Sequence, residues 1–226
     1  MKTGTFNGLK FIYREHTCDE QQLAINPIPL FVPEYHHGIE DVIIDVGAHI
    51  GAFALHAALK APLGKVYAIE PSKKSFELLQ MNKSLNGLEN VVACNLALYD
   101  RKGFARLSHY PEHPSFGGQS WGNTLTLTFH EGEIVRTDTL ANFLEDNKIL
   151  KCNYMKVNCE GSEFEIILST PKEHLRRTYL YLVLYHCDMN WNHKPEELAE
   201  HFKENGFEVD LRKKEHERGW IVARKN

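Results

Sequence analysis

Along this chain, short apolar runs rich in β-branched and aromatic residues alternate with stretches whose apolar residues recur at helical spacing. Asp41-Val42-Ile43-Ile44-Asp45-Val46, Val66 to Ile69, Val91 to Asn95, Tyr154 to Val157 and Tyr179 to Tyr185 are runs of the first kind. Near-continuous apolar runs of that length predict strands buried on both faces of a parallel sheet. Helices are predicted between them. Ala52 to Lys60 is one, and a second is capped by Ser72, carries Phe76, Leu79 and Leu85, and ends at Gly87. Asp138-Thr139 opens a third with Leu140, Phe143 and Leu144, and Glu163 to Ser169 is a fourth, ended by Pro171. Pro195 opens a fifth, with Leu198 and Phe202 inward and Gly206 as its stop. Phe207 to Leu211 and Trp220 to Ala223 close the chain as two strands around a polar, solvated turn, Arg212 to Arg218. This rhythm predicts an α/β fold, a Rossmann-like sheet with helices on both faces.

Two regions depart from the rhythm. The first forty residues form an arm, with a strand at Leu9 to Tyr13 and a short helix capped by Asp19 and running through Ala24. Pro27, Pro29 and Pro33 then make an extended run, and the adjacent His36-His37 is expected in solvent rather than on one ion. The second departure is an insert over roughly 103–137, where Gly103 to Ser108 and Ile134 to Thr137 predict an added strand pair. Between those strands lies a glycine- and proline-rich loop in which Tyr110, Phe116 and Trp121 could stack on a flat substrate or pin the loop to the core. With no repeat and no linker, residues 1–226 are expected to be one domain: the arm, 1–40, and a core, 41–226.

Composition narrows the class. A net charge of −4 and scattered basic pairs argue against a nucleic-acid partner. Five cysteines without a C-x-x-C favour free thiols and a reducing, cytoplasmic setting. No apolar run approaches a membrane span and no signal-peptide core is present, so no membrane association is expected.

The chemistry concentrates where the first strand enters its helix. Gly47 and Gly51 bracket a turn that must approach a ligand closely, and Ala48 and His49 lie between them. Asp45 precedes the turn, and Glu70, followed by Pro71, ends the next strand, where an acid can hold both ribose hydroxyls. A dinucleotide site wants G-x-G-x-x-G. Here His49 replaces the middle glycine, and the carboxylate of Asp45 would repel a pyrophosphate. The same carboxylate suits an ammonium and a sulfonium, so the expected cofactor is S-adenosylmethionine. Asn95, Leu96 and Ala97, leaving the third strand, are expected beside its adenine.

VIIDVGAHIGAFALHAAL, the IEP at Glu70-Pro71 and YMKVNCEGSEFEIIL resemble the FkbM family of S-adenosylmethionine-dependent methyltransferases, as do VLYHCDMN and ELAEHFKENGFEV. The resemblance covers roughly residues 41–211. It implies a class I methyltransferase fold, a seven-stranded, mostly parallel sheet with one antiparallel strand. It also implies O-methylation of a sugar or natural-product hydroxyl. Asn158 stands where the commoner family motif K-I-D-V-E-G has its Asp, and Leu184 where that family often has an acid.

Methylating an alcohol requires removal of its proton. Asn158, Glu160, His186 and Asp188 follow the fourth and fifth strands and are the candidates. His186 is the expected base by its ordinary pKa, Glu160 a binding or orienting group, and Asn158 an orienting amide that also touches the cofactor. A divalent ion on Asn158, Glu160 and Asp188 is the other route. No metal is expected, because Asn158 replaces a carboxylate. The expected acceptor is a small-molecule or glycan hydroxyl. The competing functions are a non-catalytic cofactor- or partner-binding domain and N-methylation of protein or RNA. The sequence does not determine an oligomeric state.

Overall fold

The computed structural model describes residues 1–25, 36–109, 123–125, 132–187, 192–213 and 217–226. In chain order the elements are β1 (Lys2–Phe6), β2 (Leu9–Tyr13), α1 (Asp19–Ile25), β3 (Val42–Val46), α2 (Ala52–Lys60), β4 (Lys65–Ile69), α3 (Lys73–Leu85) and β5 (Val91–Cys94). There follow β6 (Ala97–Leu98), β7 (Gly103–His109), β8 (Asn123–Leu125), β9 (Glu133–Asp138), α4 (Leu140–Asp146), β10 (Cys152–Val157), α5 (Glu163–Leu168), α6 (Lys172–Leu175), β11 (Thr178–His186), α7 (Pro195–Glu204), β12 (Phe207–Lys213) and β13 (Arg218–Lys225).

Seven strands form the main sheet in the order β12-β13-β11-β10-β3-β4-β5. β13 runs antiparallel to both neighbours, and the other pairs are parallel. Successive strand residues serve opposite faces. Ile44, Val46, Met155, Val157, Tyr181 and Val183 join one buried cluster with Phe143, Phe164 and Phe202 from the helices. Ile43, Val66, Ala68, Tyr154, Leu180 and Leu182 join another with α2, Leu78 and Leu79. Burial on both faces is why these strands lack the polar alternation of a one-sided sheet. No helix among the described residues is long and apolar enough to cross a membrane.

Several expectations change. The added strand pair, β7 and β9, belongs to a four-stranded sheet, β6-β9-β7-β8. The arm contains a hairpin, because β1 pairs antiparallel with β2. Asp19 lies inside α1 and gives its carboxylate to Arg14 rather than to a cap. Ser72 stands at the N-cap of α3 without a side-chain cap bond, and its backbone N–H donates to Glu70. His36 is exposed, but His37 packs edge-on against Tyr154, and burial lowers its pKa. β11 runs one residue past Tyr185, so His186 is paired within the sheet, opposite Arg218. Pro27, Pro29, Pro33, Tyr110, Phe116, Trp121 and Asp188 lie outside the described residues.

Two asparagines dock the arm. Asn82 on α3 and Asn86 at its C-cap stand one turn apart and imitate a neighbouring strand for β2. Asn86 accepts from Lys10 N–H and donates to Lys10 C=O at 2.9 and 2.7 Å. Asn82 does the same for Ile12 at 2.7 and 3.1 Å, and also donates to Ile50 C=O in the glycine turn at 3.0 Å. Arm, helix and turn are thereby tied through one fully buried amide.

Candidate active site

The site begins with a turn that only glycine can make. Gly47 has φ +80°, and a Cβ there would lie 2.0 Å from Asn158 C=O. Gly51, at φ +94°, would place one 2.7 Å from Leu79. The N–H groups of Gly47 and Ala48 both donate to Ile69 C=O at 3.0 Å, which closes the turn against the end of β4. Glu70 is buried there, one oxygen accepting from His49 N–H at 2.8 Å and the other from Ser72 N–H at 2.9 Å. Burial raises its pKa, against the charge of His49 and these two N–H groups.

Asp45 lies beneath the turn. Its Oδ1 accepts from Lys156 Nζ at 2.7 Å, the pairing set by the β3–β10 register. Both groups are buried. Lys156 also lies 5.5 Å from the centre of the Phe53 ring. A cation inside a strand buried on both faces requires a partner. That signal was present in the sequence and points to Lys156, which was quoted there only as part of a motif.

Across the cleft, the loop after β10 carries the second group of residues. Asn158 N–H donates to Val46 C=O, which holds the loop against β3. Glu160 and Gly161 both adopt positive φ, +50° and +108°. Fully buried Glu163 holds this bend: one oxygen accepts from Cys159 N–H at 2.6 Å, the other from Gly161 N–H at 2.9 Å. The first oxygen also meets His186 Nδ1 at 3.0 Å, while His186 Nε2 lies 3.6 Å from Glu160 Oε2. Burial disfavours the imidazolium of His186, but Glu160 and Glu163 outweigh it and raise the pKa to about 9. The sequence pattern marks Glu163 only as the start of a helix.

His49 extends the site toward the arm. Its ring lies at Asp19 Oδ1, 3.2 Å away, and Arg14 brackets the same carboxylate at 2.8 and 2.9 Å. Burial again opposes the charge, while Asp19 and Cys18 raise His49 to about 9. Cys18, Asp19 and His49 could hold an ion, since their ligand atoms lie within 4.8 Å of one another. Arg14, however, already supplies a cation to that carboxylate.

The cleft between these groups is lined by Gln22, Gly47, His49, Glu70, Pro71, Leu96, Ala97, Leu98, Leu107, Leu125, Asn158, Cys159 and Glu160, among others. It therefore brings together most of the residues expected from sequence. Asp45, Ala48 and Gly51 support it from behind. Asn95 is exposed, and its amide ties the C=O groups of Glu70 and Pro71 at 2.9 Å. His186 lies behind Glu160 and does not line the cleft. Buried Asp45 Oδ2, Asn158 Oδ1 and Glu160 Oε2 find no hydrogen-bond partner among the described residues. Such acceptors fit a ligand carrying an ammonium and hydroxyls, and the Leu96, Leu98, Leu107 and Leu125 wall fits an adenine. The residues present thus suit S-adenosylmethionine.

Comparison with known proteins agrees. Residues 45–209 match the family described as Methyltransferase FkbM domain. Methyltransferase sdnD of Sordaria araneosa is 25% identical over 198 residues, 73% of this chain and 70% of the relative. The 31-O-demethyl-FK506 methyltransferase FkbM of Streptomyces tacrolimicus is 33% identical over 113 residues, 48% of this chain and 38% of the relative. The crystal structure of Methyltransferase FkbM from Methylobacillus flagellatus aligns at a TM-score of 0.53 with 12% identity, covering 85% of this chain and 45% of the other. The chain thus spans less than half the length of the Streptomyces and Methylobacillus proteins. With residues 45–209 matched, this chain belongs to the FkbM methyltransferase family, and its cofactor is S-adenosylmethionine.

Proposed function

We propose that the protein methylates a hydroxyl oxygen of a small molecule or glycan, and that Glu160 is the residue that meets the acceptor. The observation that carries this reading is the position of Glu160. It lines the cleft beside Asn158, with Oε2 turned to His186 Nε2 at 3.6 Å and Arg218 Nη1 at 4.0 Å, which leaves its other oxygen for the acceptor. S-adenosylmethionine, when bound, supplies an electrophilic methyl group. The residues of the chain must align the acceptor and remove its proton. Alignment comes from the bend that Glu163 holds and from the amide of Asn158, whose free oxygen can accept from a hydroxyl. The proton passes to the carboxylate of Glu160.

His186 was the base expected from sequence. A ring already protonated near pH 7, with Nδ1 on Glu163, is a poor acceptor. We therefore assign it the role of a positioning residue that orients Glu160. The relative whose name specifies 31-O-demethyl-FK506 supports an oxygen acceptor.

The test is methyl transfer to a panel of sugar and polyketide hydroxyls. Glu160→Gln should lower kcat ~10²–10⁴-fold, with cofactor affinity within about threefold. Turnover should survive EDTA, because Asn158 offers a hard metal only a neutral amide. Transfer confined to amines would overturn the oxygen assignment. Complete loss in EDTA, restored by magnesium, would overturn the metal-free one.

A further inference from the structure

We propose that the N-terminal arm completes the cofactor site, with Gln22 as the residue that binds the carboxylate of the cofactor's amino-acid end. This rests on the cofactor reading above and adds a contact from outside the Rossmann-like core. Four observations carry it. Gln22 lines the cleft on the same side as His49, although it belongs to α1. Among the described residues its Nε2 makes a long contact to Cys18 Sγ, 3.8 Å, which a carboxylate would readily replace. Arg14 fastens the arm at that end of the cleft: its Nη2 lies 2.9 Å from His49 Nε2 and donates to Ser75 Oγ on α3 at 3.1 Å, and both Arg14 and His49 meet the carboxylate of Asp19. Finally, the Asn82 amide ties β2 to Ile50 in the turn, so the arm and the turn that it faces keep one spacing.

The charges also orient the ligand. Asp45, beneath the glycine turn, keeps one buried oxygen without a hydrogen-bond partner among the described residues, and it marks the ammonium side. The carboxylate is left to Gln22, whose amide can donate to it beside His49 in the same lining. His49, held toward its charged form by Asp19 and Cys18, lines the same cleft.

The experiment is calorimetric titration of the full chain with S-adenosylhomocysteine and with 5′-methylthioadenosine, which lacks the amino-acid end. Gln22→Ala should weaken S-adenosylhomocysteine about tenfold and leave 5′-methylthioadenosine within about twofold. Gln22→Glu should weaken the first ligand further, because it places an anion against the carboxylate. Equal losses for both ligands, or no loss for either, would overturn the inference, as would tighter S-adenosylhomocysteine binding by Gln22→Glu. Gln22 is partly exposed, and melting curves matching the wild type would exclude misfolding as the cause of a loss. A wild type that binds neither ligand would overturn the cofactor reading itself. A wild type that binds both, with variants that do not discriminate, would overturn only the role of Gln22.

Discussion

His49 and His186 stand on opposite sides of the cleft. Burial opposes the charge of each, yet carboxylates outweigh it and raise both to about 9: Asp19 in one case, Glu160 and Glu163 in the other. What each charge serves differs. His49 gives the cleft its backbone, donating N–H to Glu70, and turns its ring out to the arm. His186 contributes no backbone to the cleft and turns its ring toward Glu160, which lines it. The same local electrostatics therefore fasten an appendage on one side and, in our reading, orient the reacting group on the other. A shifted histidine is not by itself a catalytic one. What its charged ring faces distinguishes the two roles.

The comparison can be broken most forcefully at the carboxylates that anchor each ring. Glu163 is fully buried and serves two backbone N–H groups besides His186. Removing one partner of a buried ionic pair costs ~3–5 kcal/mol, and Glu163→Ala should destabilise the fold by about that much. Asp19 is equally buried, but its partner Arg14 is partly exposed and can turn to water. Asp19→Ala should cost only ~1–3 kcal/mol. Urea unfolding of the two variants checks the order, and equal losses would erase the distinction between scaffold and appendage.

A smaller effect separates the roles in turnover. His186→Asn should lower kcat about tenfold and remove any decline of kcat as pH rises toward 9. His49→Asn should leave kcat within about twofold while weakening the cofactor several-fold. If His49→Asn alters the pH–rate profile and His186→Asn does not, the assignment is reversed.

Legibility in the sequence followed the same division. Strands buried on both faces announce themselves as apolar runs, so the predicted Ala52 to Lys60 helix and five of the sheet strands lie within a residue or two of those observed. The glycine turn was legible because Gly47 faces Asn158 C=O with no room for a Cβ. β1 was not legible, since KTGTF is largely exposed and its pairing depends on Leu9–Tyr13 rather than on its own pattern. Nor was the partnership of Glu163 with His186, 23 residues apart, which exists only once β11 lies beside β10. Asp19 looked like a cap because the sequence does not show that Arg14 and His49 converge on it.

The finest test uses the pH dependence of stability. Both histidines have folded pKa values above the ordinary 6.5, so the folded state binds their protons more tightly than the unfolded state does. The stability each contributes is fully present below about 6.5 and is lost as pH rises through about 9. Cys152, pushed to about 12 by burial, adds its own loss once unfolded thiols ionise. The informative window is therefore about pH 6 to 8.5. Across it the wild type should lose stability, and each single His→Asn variant should lose about 2 kcal/mol less than the wild type. For a chain of this size that is ~4–8 °C in Tm. The two variants should match here even though they differ in turnover, because the linkage counts protons without regard to what the ring faces. A wild-type Tm flat from pH 6 to 8.5 would show that neither ring is held charged. A slope removed by only one of the substitutions would show that the two histidines are not electrostatic equals.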